Sequence, residues 1–417
     1  MSETSAADPS GGRRRWLILV VGLIAMTAGC TFQYGLAYLI PALRHAGFSL
    51  ELASVLVACP TAGLLLTLIG WGAAADRWGE RVVLATGLGA AGLVLILARS
   101  VHGAAGLGAC LALAGAAGGS VFAASGRLIL GWFARRERGL AMGIRQSAQP
   151  LGVALAAVTL PALAAGGTSA PLEFLGAFCL AAAAGVVVLV RDPPRPEPPS
   201  AGQPRPASPY RQPILWRIHA ASALLVVPQF TVATFALVFL VDARSWSVLA
   251  AGRLLAVAQA CGAASRLGAG YWSDRVGSRM GPMRILALST GAGMLALAAA
   301  AAAGSSAAVP VLLACGVVAV STNGLAFTAV AEYAGSAWAG RALGIQNTGQ
   351  NALAAATPPV MALAIGAIGY GASFAVVGAF PLVAAVLVPV AAERASAVSP
   401  AGGTGAGLAP AVADEPG

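Results

Sequence analysis

The chain has 417 residues, of which 58% are hydrophobic and 10% charged, with a formal net charge of +10, and every one of its 25 basic residues is arginine. A soluble domain of this size needs a charged shell, whereas here Ala, Gly, Leu and Val run for about twenty residues at a time, so the solvent for most of the surface is lipid. Arginines that matched nucleic-acid phosphates would cluster on one soluble face; these lie between apolar spans, which excludes a nucleic-acid partner.

The opening Met1 to Gly12 is polar and leads into Arg13, Arg14 and Arg15. The apolar run behind them is too long for a secretory leader and reads as a first membrane span. With about 20 apolar residues per span, helices are predicted near 16–40, 52–75, 82–98, 106–132, 139–163 and 172–190, then 213–240, 249–271, 283–303, 308–333, 340–366 and 371–392. The expected fold is an all-α membrane protein of twelve transmembrane helices in two pseudo-symmetric six-helix halves, 16–190 and 213–392. Residues 1–15 form an N-terminal tail, the Pro-rich stretch 191–212 an extended linker, and 393–417 a disordered tail. Cys30, Cys59, Cys110, Cys179, Cys261 and Cys315 are single, lie in apolar segments and show no metal-ligand spacing, so they read as small core residues and no metal is expected.

Eighteen arginines fall on one side of this arrangement, three (Arg44, Arg99, Arg244) on the other, and four (Arg127, Arg145, Arg253, Arg266) within spans. Positively charged loops stay in the cytoplasm, which puts both termini and the linker there and places the chain in the cell membrane.

The halves repeat each other. Gly72-x-x-x-Asp76-Arg77-x-Gly79-x-Arg81 recurs as Gly270-x-x-x-Asp274-Arg275-x-Gly277-x-Arg279, displaced by 198 residues, and Gly143 to Gln149 is echoed by Gly344 to Gln350 at 201. Transporter folds are commonly built from such repeats. The motif between the second and third helices, present in both halves, resembles that of the major facilitator superfamily, with Glu80 as a departure where the family usually has a basic residue. The resemblance covers nearly the whole chain and implies a secondary transporter working by alternating access. It also implies that Asp76 faces the start of the eleventh helix around Gly340 and Arg341, that Asp274 faces the start of the fifth around Arg138 and Gly139, and that these contacts gate the cycle together with Gly72, Arg77, Gly79, Arg81, Gly270, Arg275, Gly277 and Arg279. A carboxylate at a span's end is costly unless it meets positive charge, and a helix N-terminus offers about half a unit of it with free N–H groups.

In such folds the solute lies near the midplane between the halves. Arg145 and Gln149, four residues apart and hence on one face of a continuous helix, are matched by Gln346 and Gln350 on the eleventh. Two readings of this quartet stand: a central site, or interhelical hydrogen bonds that glue the bundle. Arg266 costs at least about 2.5–3.5 kcal/mol to place centrally and either meets an anionic solute or snorkels to the surface. Arg127 is expected to snorkel or contact the loop motif, and Arg253 to lie near the outer end of its helix. Tyr34, Tyr38, Gln229, Thr231, Gln259 and Asn323 complete the expected polar lining, while His45, His102 and His219 lie too near the ends to suggest a proton relay.

No nucleotide-binding loop is present and no cofactor is expected. An enzyme would need clustered His, Asp or Glu, which the sequence lacks. The expected ligand is a small organic or inorganic anion such as a carboxylate, with or without a coupling proton or counter-substrate, carried by a monomer surrounded by lipid. Export of a hydrophobic drug-like compound is the alternative.

Overall fold

The computed structural model describes residues 9–193, 208–335 and 337–393, and no β-strand occurs among them. Helix is what lipid imposes, because it satisfies every backbone N–H and C=O within the segment. In chain order the helices are α1 (Pro9–Gly35), α2 (Ile40–His45), α3 (Leu50–Trp78), α4 (Glu80–Ala98), α5 (Ala104–Trp132), α6 (Arg138–Gln146), α7 (Ala148–Leu163), α8 (Ser169–Leu189), α9 (Pro213–Val238), α10 (Val248–Val276), α11 (Met280–Ala302), α12 (Ala308–Ala319), α13 (Thr322–Ala334) and α14 (Ala339–Leu387). Among the described residues ten helical stretches are long and apolar enough to cross a membrane. The last of them holds two helices joined at Gly369, whose φ of 74° breaks the α conformation. α10, 29 residues long, carries Arg253, Gln259 and Arg266 and is the least apolar of the long helices that fill the remaining predicted place.

Several expected boundaries move. α1 starts at Pro9, so Arg13 to Arg15 lie on helix rather than in a tail. The added turns are held by Arg15, which donates to Glu137 at 2.6 Å and packs 5.5 Å from the Phe133 ring. The predicted fifth helix is two, α6 and α7, meeting at Ser147, and the tenth is α12 and α13, meeting at Val320 and Ser321. Both breaks sit where a serine hydroxyl turns back on its own helix: Ser147 onto Gly143 O at 3.2 Å and Ser321 onto Val317 O at 2.9 Å. Of the linker, 194–207 lies outside the described residues, while Pro209–Arg211 forms a 3₁₀ turn. Residues 394–417 and 1–8 also lie outside. Glu393, assigned to the tail, instead ends the helical body: its carboxylate accepts the backbone N–H of Arg279 at 2.6 Å and of Met280 at 3.1 Å, capping α11.

The buried core divides into three clusters. One draws only on 18–190 and one only on 227–377. The third mixes Ile129, Leu130, Phe133 and Met142 with Leu215, Ile218, Met283, Phe327 and Leu343 at the arginine-rich end. There α3 packs on α14 and α6 on α10. The two parts of the chain are thus sealed together at that end.

Candidate functional site

Two latches close the arginine-rich end. In the first, Asp76 at the end of α3 accepts the backbone N–H of Gly340 at 2.9 Å and of Arg341 at 3.1 Å, the free donors at the start of α14. Arg127 of α5 reaches the same carboxylate at 2.9 Å and Glu80 at 2.8 Å, and Arg341 adds a contact at 3.1 Å. In the second, Asp274 at the end of α10 accepts Gly139 N at 2.9 Å and Leu140 N at 2.8 Å at the start of α6. Arg279 bonds Asp274 and also lies 3.4 Å from Glu332, which Arg138 approaches at 3.6 Å.

These contacts need backbone against backbone. A Cβ on Gly340 would stand 2.4 Å from Gly72 O, and one on Gly139 would stand 2.4 Å from Gly270 O, so each latch is a glycine pair crossing with no room for a side chain. The motif's other glycines end their helices: Gly79 has φ 101° and Gly277 φ 64°, a region L side chains rarely adopt. Arg81 ties its turn to α8, taking Asp192 Oδ1 on its N–H at 2.7 Å and donating to Val187 O. Arg77 and Arg275 lie over Trp78 and Tyr271.

Between the two parts of the chain lies a cavity of about 50 Å³, lined by Tyr34 and Met26 of α1, Phe122 of α5, Gln146 and Gln149, Val226, Gln229 and Phe230 of α9, Asn323 and Phe327 of α13, and Asn347, Gln350, Asn351 and Ala354 of α14. No charged side chain is in the lining. Tyr34 donates to Asn351 at 3.2 Å, and Asn323 to Gln229 at 3.1 Å.

Two arginines stand directly behind this wall. Arg145, fully buried, donates to Ser125 Oγ at 2.9 Å, Phe122 O at 3.0 Å and Gln146 Oε1 at 2.7 Å, with Phe327 5.3 Å below its guanidinium. Its neighbours Phe122, Gln146 and Phe327 are all cavity walls. Arg266, 5% exposed, donates to Gln146 O at 2.7 Å. That carbonyl is available for a sequence reason: residue 150, whose N–H would bond it in a regular helix, is Pro150, which has none. Among the described residues neither guanidinium has a carboxylate within ion-pair reach, so two buried positive charges converge on Gln146.

A sequence model described as the Major Facilitator Superfamily matches residues 17–358. The chain belongs to the Major Facilitator Superfamily. An uncharacterized MFS-type transporter of Mycobacterium tuberculosis (strain ATCC 25618 / H37Rv) is 46% identical over 385 residues, covering 92% of this chain and 86% of that protein. Among solved structures, the Escherichia coli fucose:proton symporter shares the fold at a TM-score of 0.73 and 14% identity, over 90% of this chain and 98% of that one. The human organic anion transporter MFSD10 (TETRAN) does so at 0.71 and 18%, over 91% and 100%. The protein is accordingly a multi-pass membrane transporter of this superfamily, whose members bind small molecules and are generally not enzymes.

Of the residues expected at the superfamily's central site, the structure brings together Tyr34, Gln149, Gln229, Asn323 and Gln350. Arg145 does not join Gln149 in the lining, because its guanidinium is drawn behind the wall by Ser125, the Phe122 carbonyl and the Gln146 amide. Arg266 meets a helix carbonyl rather than the cavity. Gln346 points away to His219 and Ser222, Gln259 and Arg253 are exposed, and Tyr38 and Thr231 are not in the lining. Sequence reasoning missed Gln146, Asn347 and Asn351; Pro150, whose missing N–H redirects Arg266, was the available signal for the first. Arg127 meets the loop motif, as one of its two expected readings had it, and Glu80 is no weakened contact but Arg127's second partner.

Proposed function

We propose that this transporter moves a small anion across the cytoplasmic membrane by alternating access, with the cavity around Gln146 as its solute site and the two latches, on the cytoplasmic side with both termini, as its gate. The supporting observation is the pair of buried guanidiniums, Arg145 and Arg266, both hydrogen-bonded to Gln146 and neither matched by a carboxylate among the described residues. An unpaired buried cation is costly, and a visiting anion offsets it. At roughly 8 Å and an effective dielectric constant of about 20, each guanidinium lowers the energy of a monoanion by about 2 kcal/mol. With Gln146 Oε1 held by Arg145, the amide's N–H₂ is left to face the solute, and its polarity reinforces the same preference. The arginines act through their field, so Arg266→Lys should bind nearly as well as the parent while Arg266→Gln and Arg145→Gln each lose about ten- to thirty-fold in affinity. A panel of small carboxylates, inorganic oxyanions and lipophilic drugs tested for uptake into proteoliposomes decides the matter; transport confined to neutral or cationic lipophiles overturns the anion reading. Such an outcome would favour hydrophobic export, which Met26, Phe122, Val226, Phe230 and Phe327 on the cavity's apolar side support.

A further inference from the structure

A hydrogen-bonded chain runs from the solute cavity to the arginine-rich end through α9 and α14. Gln350, in the cavity wall, donates to Ser222 Oγ at 2.6 Å. Gln346, one turn earlier, donates to the same hydroxyl, and its Oε1 lies 2.6 Å from His219 Nδ1. On the far side of the ring, His219 Nε2 lies 3.0 Å from Tyr210 Oη, and the two rings stack at 5.8 Å and 15°. The donor bookkeeping assigns one tautomer: an amide oxygen only accepts, so Nδ1 carries the hydrogen and Nε2 accepts from the phenol. Burial pushes the Tyr210 hydroxyl up to about 12, so it remains a donor throughout the neutral range.

Elimination adds weight to this chain. The carboxylates among the described residues whose side-chain surroundings are known are placed elsewhere: Asp76, Glu80, Asp274, Glu332 and Glu393 in ion pairs or helix caps, Glu137 bonded to Arg15, Asp192 to the Arg81 N–H, Glu173 to Arg99, and Asp242 exposed. None lines the cavity. His45 and His102 are exposed. Among the described residues His219 is therefore the group of ordinarily near-neutral titration that hydrogen bonds join to the solute site.

We propose that His219 is the proton-binding site of the transport cycle, loaded from the cytoplasmic side past Tyr210 and read at the solute site through Gln346, Ser222 and Gln350. The proposal deepens the transport reading above and rests on it. In the loading step the Nε2 lone pair takes a proton from hydronium and releases water, and the Tyr210 hydrogen turns away. An imidazolium has two donors and no acceptor, so the bond to Tyr210 reverses: Nε2–H donates to the phenol oxygen, and the phenol hydrogen must find a new partner. Tyr210 also packs 6.4 Å from Trp338, which precedes α14, and Arg341 lies over that ring at 4.4 Å. Protonation thus reorients the phenol that packs beside the helix start Asp76 grips. The charged groups on neighbouring elements are occupied elsewhere: Arg217 on carbonyls of Leu387 and Val386, Arg341 on Asp76, Glu332 with Arg279 and Arg138, while Arg284 of α11 is exposed. Among the described residues no carboxylate compensates the new charge, so acid favours opening of this end.

The test uses the full chain in lipid nanodiscs with ¹⁵N-histidine, His45→Gln and His102→Gln leaving one imidazole to observe. Its expected spectrum is the neutral Nδ1–H form at high pH, titrating once, with Tyr210→Phe shifting that titration. In parallel, with the six cysteines replaced by alanine, Gln149→Cys reports cavity access by its rate of reaction with N-ethylmaleimide. That rate should change about five-fold between about pH 8 and pH 5.5, follow the histidine titration, and become flat in His219→Gln. An unchanged pH profile in His219→Gln, or a His219 that does not titrate between about pH 4 and pH 8, overturns the proposal. If His219→Gln does not fold, Tyr210→Phe decides, since a profile that fails to move with the shifted titration is equally fatal. Neither readout needs a transported solute, so a failure of the anion panel and a failure of the proton site are told apart.

Discussion

At the Asp76 latch the second acid sits in the motif itself, as the fully buried Glu80, and the cation comes from α5, as Arg127. At the Asp274 latch the roles are exchanged: the motif supplies the cation, Arg279, and α13 supplies the acid, Glu332. The backbone contact is the same in both, two N–H groups of a helix start on one carboxylate beside a glycine pair. What the fold requires at each latch is thus a buried arginine bridging two carboxylates, and which element carries which sign is free. Burial differs as well, because Glu332 keeps Arg138 nearby and is 11% exposed, whereas the Glu80 side chain is wholly enclosed.

The largest effect should come from breaking the enclosed pair. Arg127→Met leaves Glu80 and Asp76 without their bridging cation and should cost about 3–5 kcal/mol, seen as a fall in thermal stability of purified protein. Arg279→Met should cost less, because Glu332 retains Arg138. The exchange Glu80→Arg with Arg127→Glu, which copies the second latch's order of signs, should recover part of the loss; a double variant as unstable as Arg127→Met would show that sign order is not free.

Next come the glycines. Gly340→Val and Gly139→Val each force a side chain into a backbone crossing and should shift the closed state by about 3 kcal/mol, roughly a hundred-fold. Distances between spin labels across the arginine-rich end should lengthen equally in both, and a variant that still closes would mean the crossing is looser than it looks. Asp76→Asn and Asp274→Asn keep the shape but lose a charge that accepts two N–H bonds, worth about 1.5–3 kcal/mol each toward closure. They should slow transport while leaving solute binding measurable by calorimetry, and wild-type transport in both would refute the gating role.

Smaller still is the effect of pH on the Asp76 side alone, since the start of α14 is braced by the Tyr210 phenol through Trp338, whereas that of α6 is braced by Arg15 through Glu137. The phenol's value in the folded protein, about 12, lies above the ordinary 10.0, so the neutral form is favoured by folding. Its contribution is complete below pH 10 and disappears as pH rises toward 12. Spin-label distances at α14 should therefore broaden in alkali before those at α6, and Tyr210→Phe should remove the difference. The least effect is expected of Arg341→Gln: that side chain is 39% exposed, so its contact with Asp76 is worth about 1 kcal/mol or less, and the cation it supplies has no counterpart at Asp274.

The spans were legible because lipid leaves an apolar run few options, and the two latches because a repeated ten-residue pattern carried the resemblance. The cavity was only half legible. Facing was inferred from helical spacing over Gly143 to Gln149, but Ser125, the Phe122 carbonyl and the Gln146 amide hold Arg145 behind the wall, and Gln146 enters it beside Gln149. On α14 Gln346 likewise turns to Ser222 and His219, because a hydrogen-bonded partner decides which way a mid-helix side chain points. That partner is completed by Tyr210, from a stretch whose composition reads as linker; tertiary contact there overrides local character.

Glu393 closes more than a helix. By taking the first N–H groups of α11 it also fixes the backbone of Arg279, the cation of the Asp274 latch. A cut one residue before Glu393, or a tether pulling on that glutamate, would therefore be felt at Asp274 and, through it, at the start of α6 on the other part of the chain.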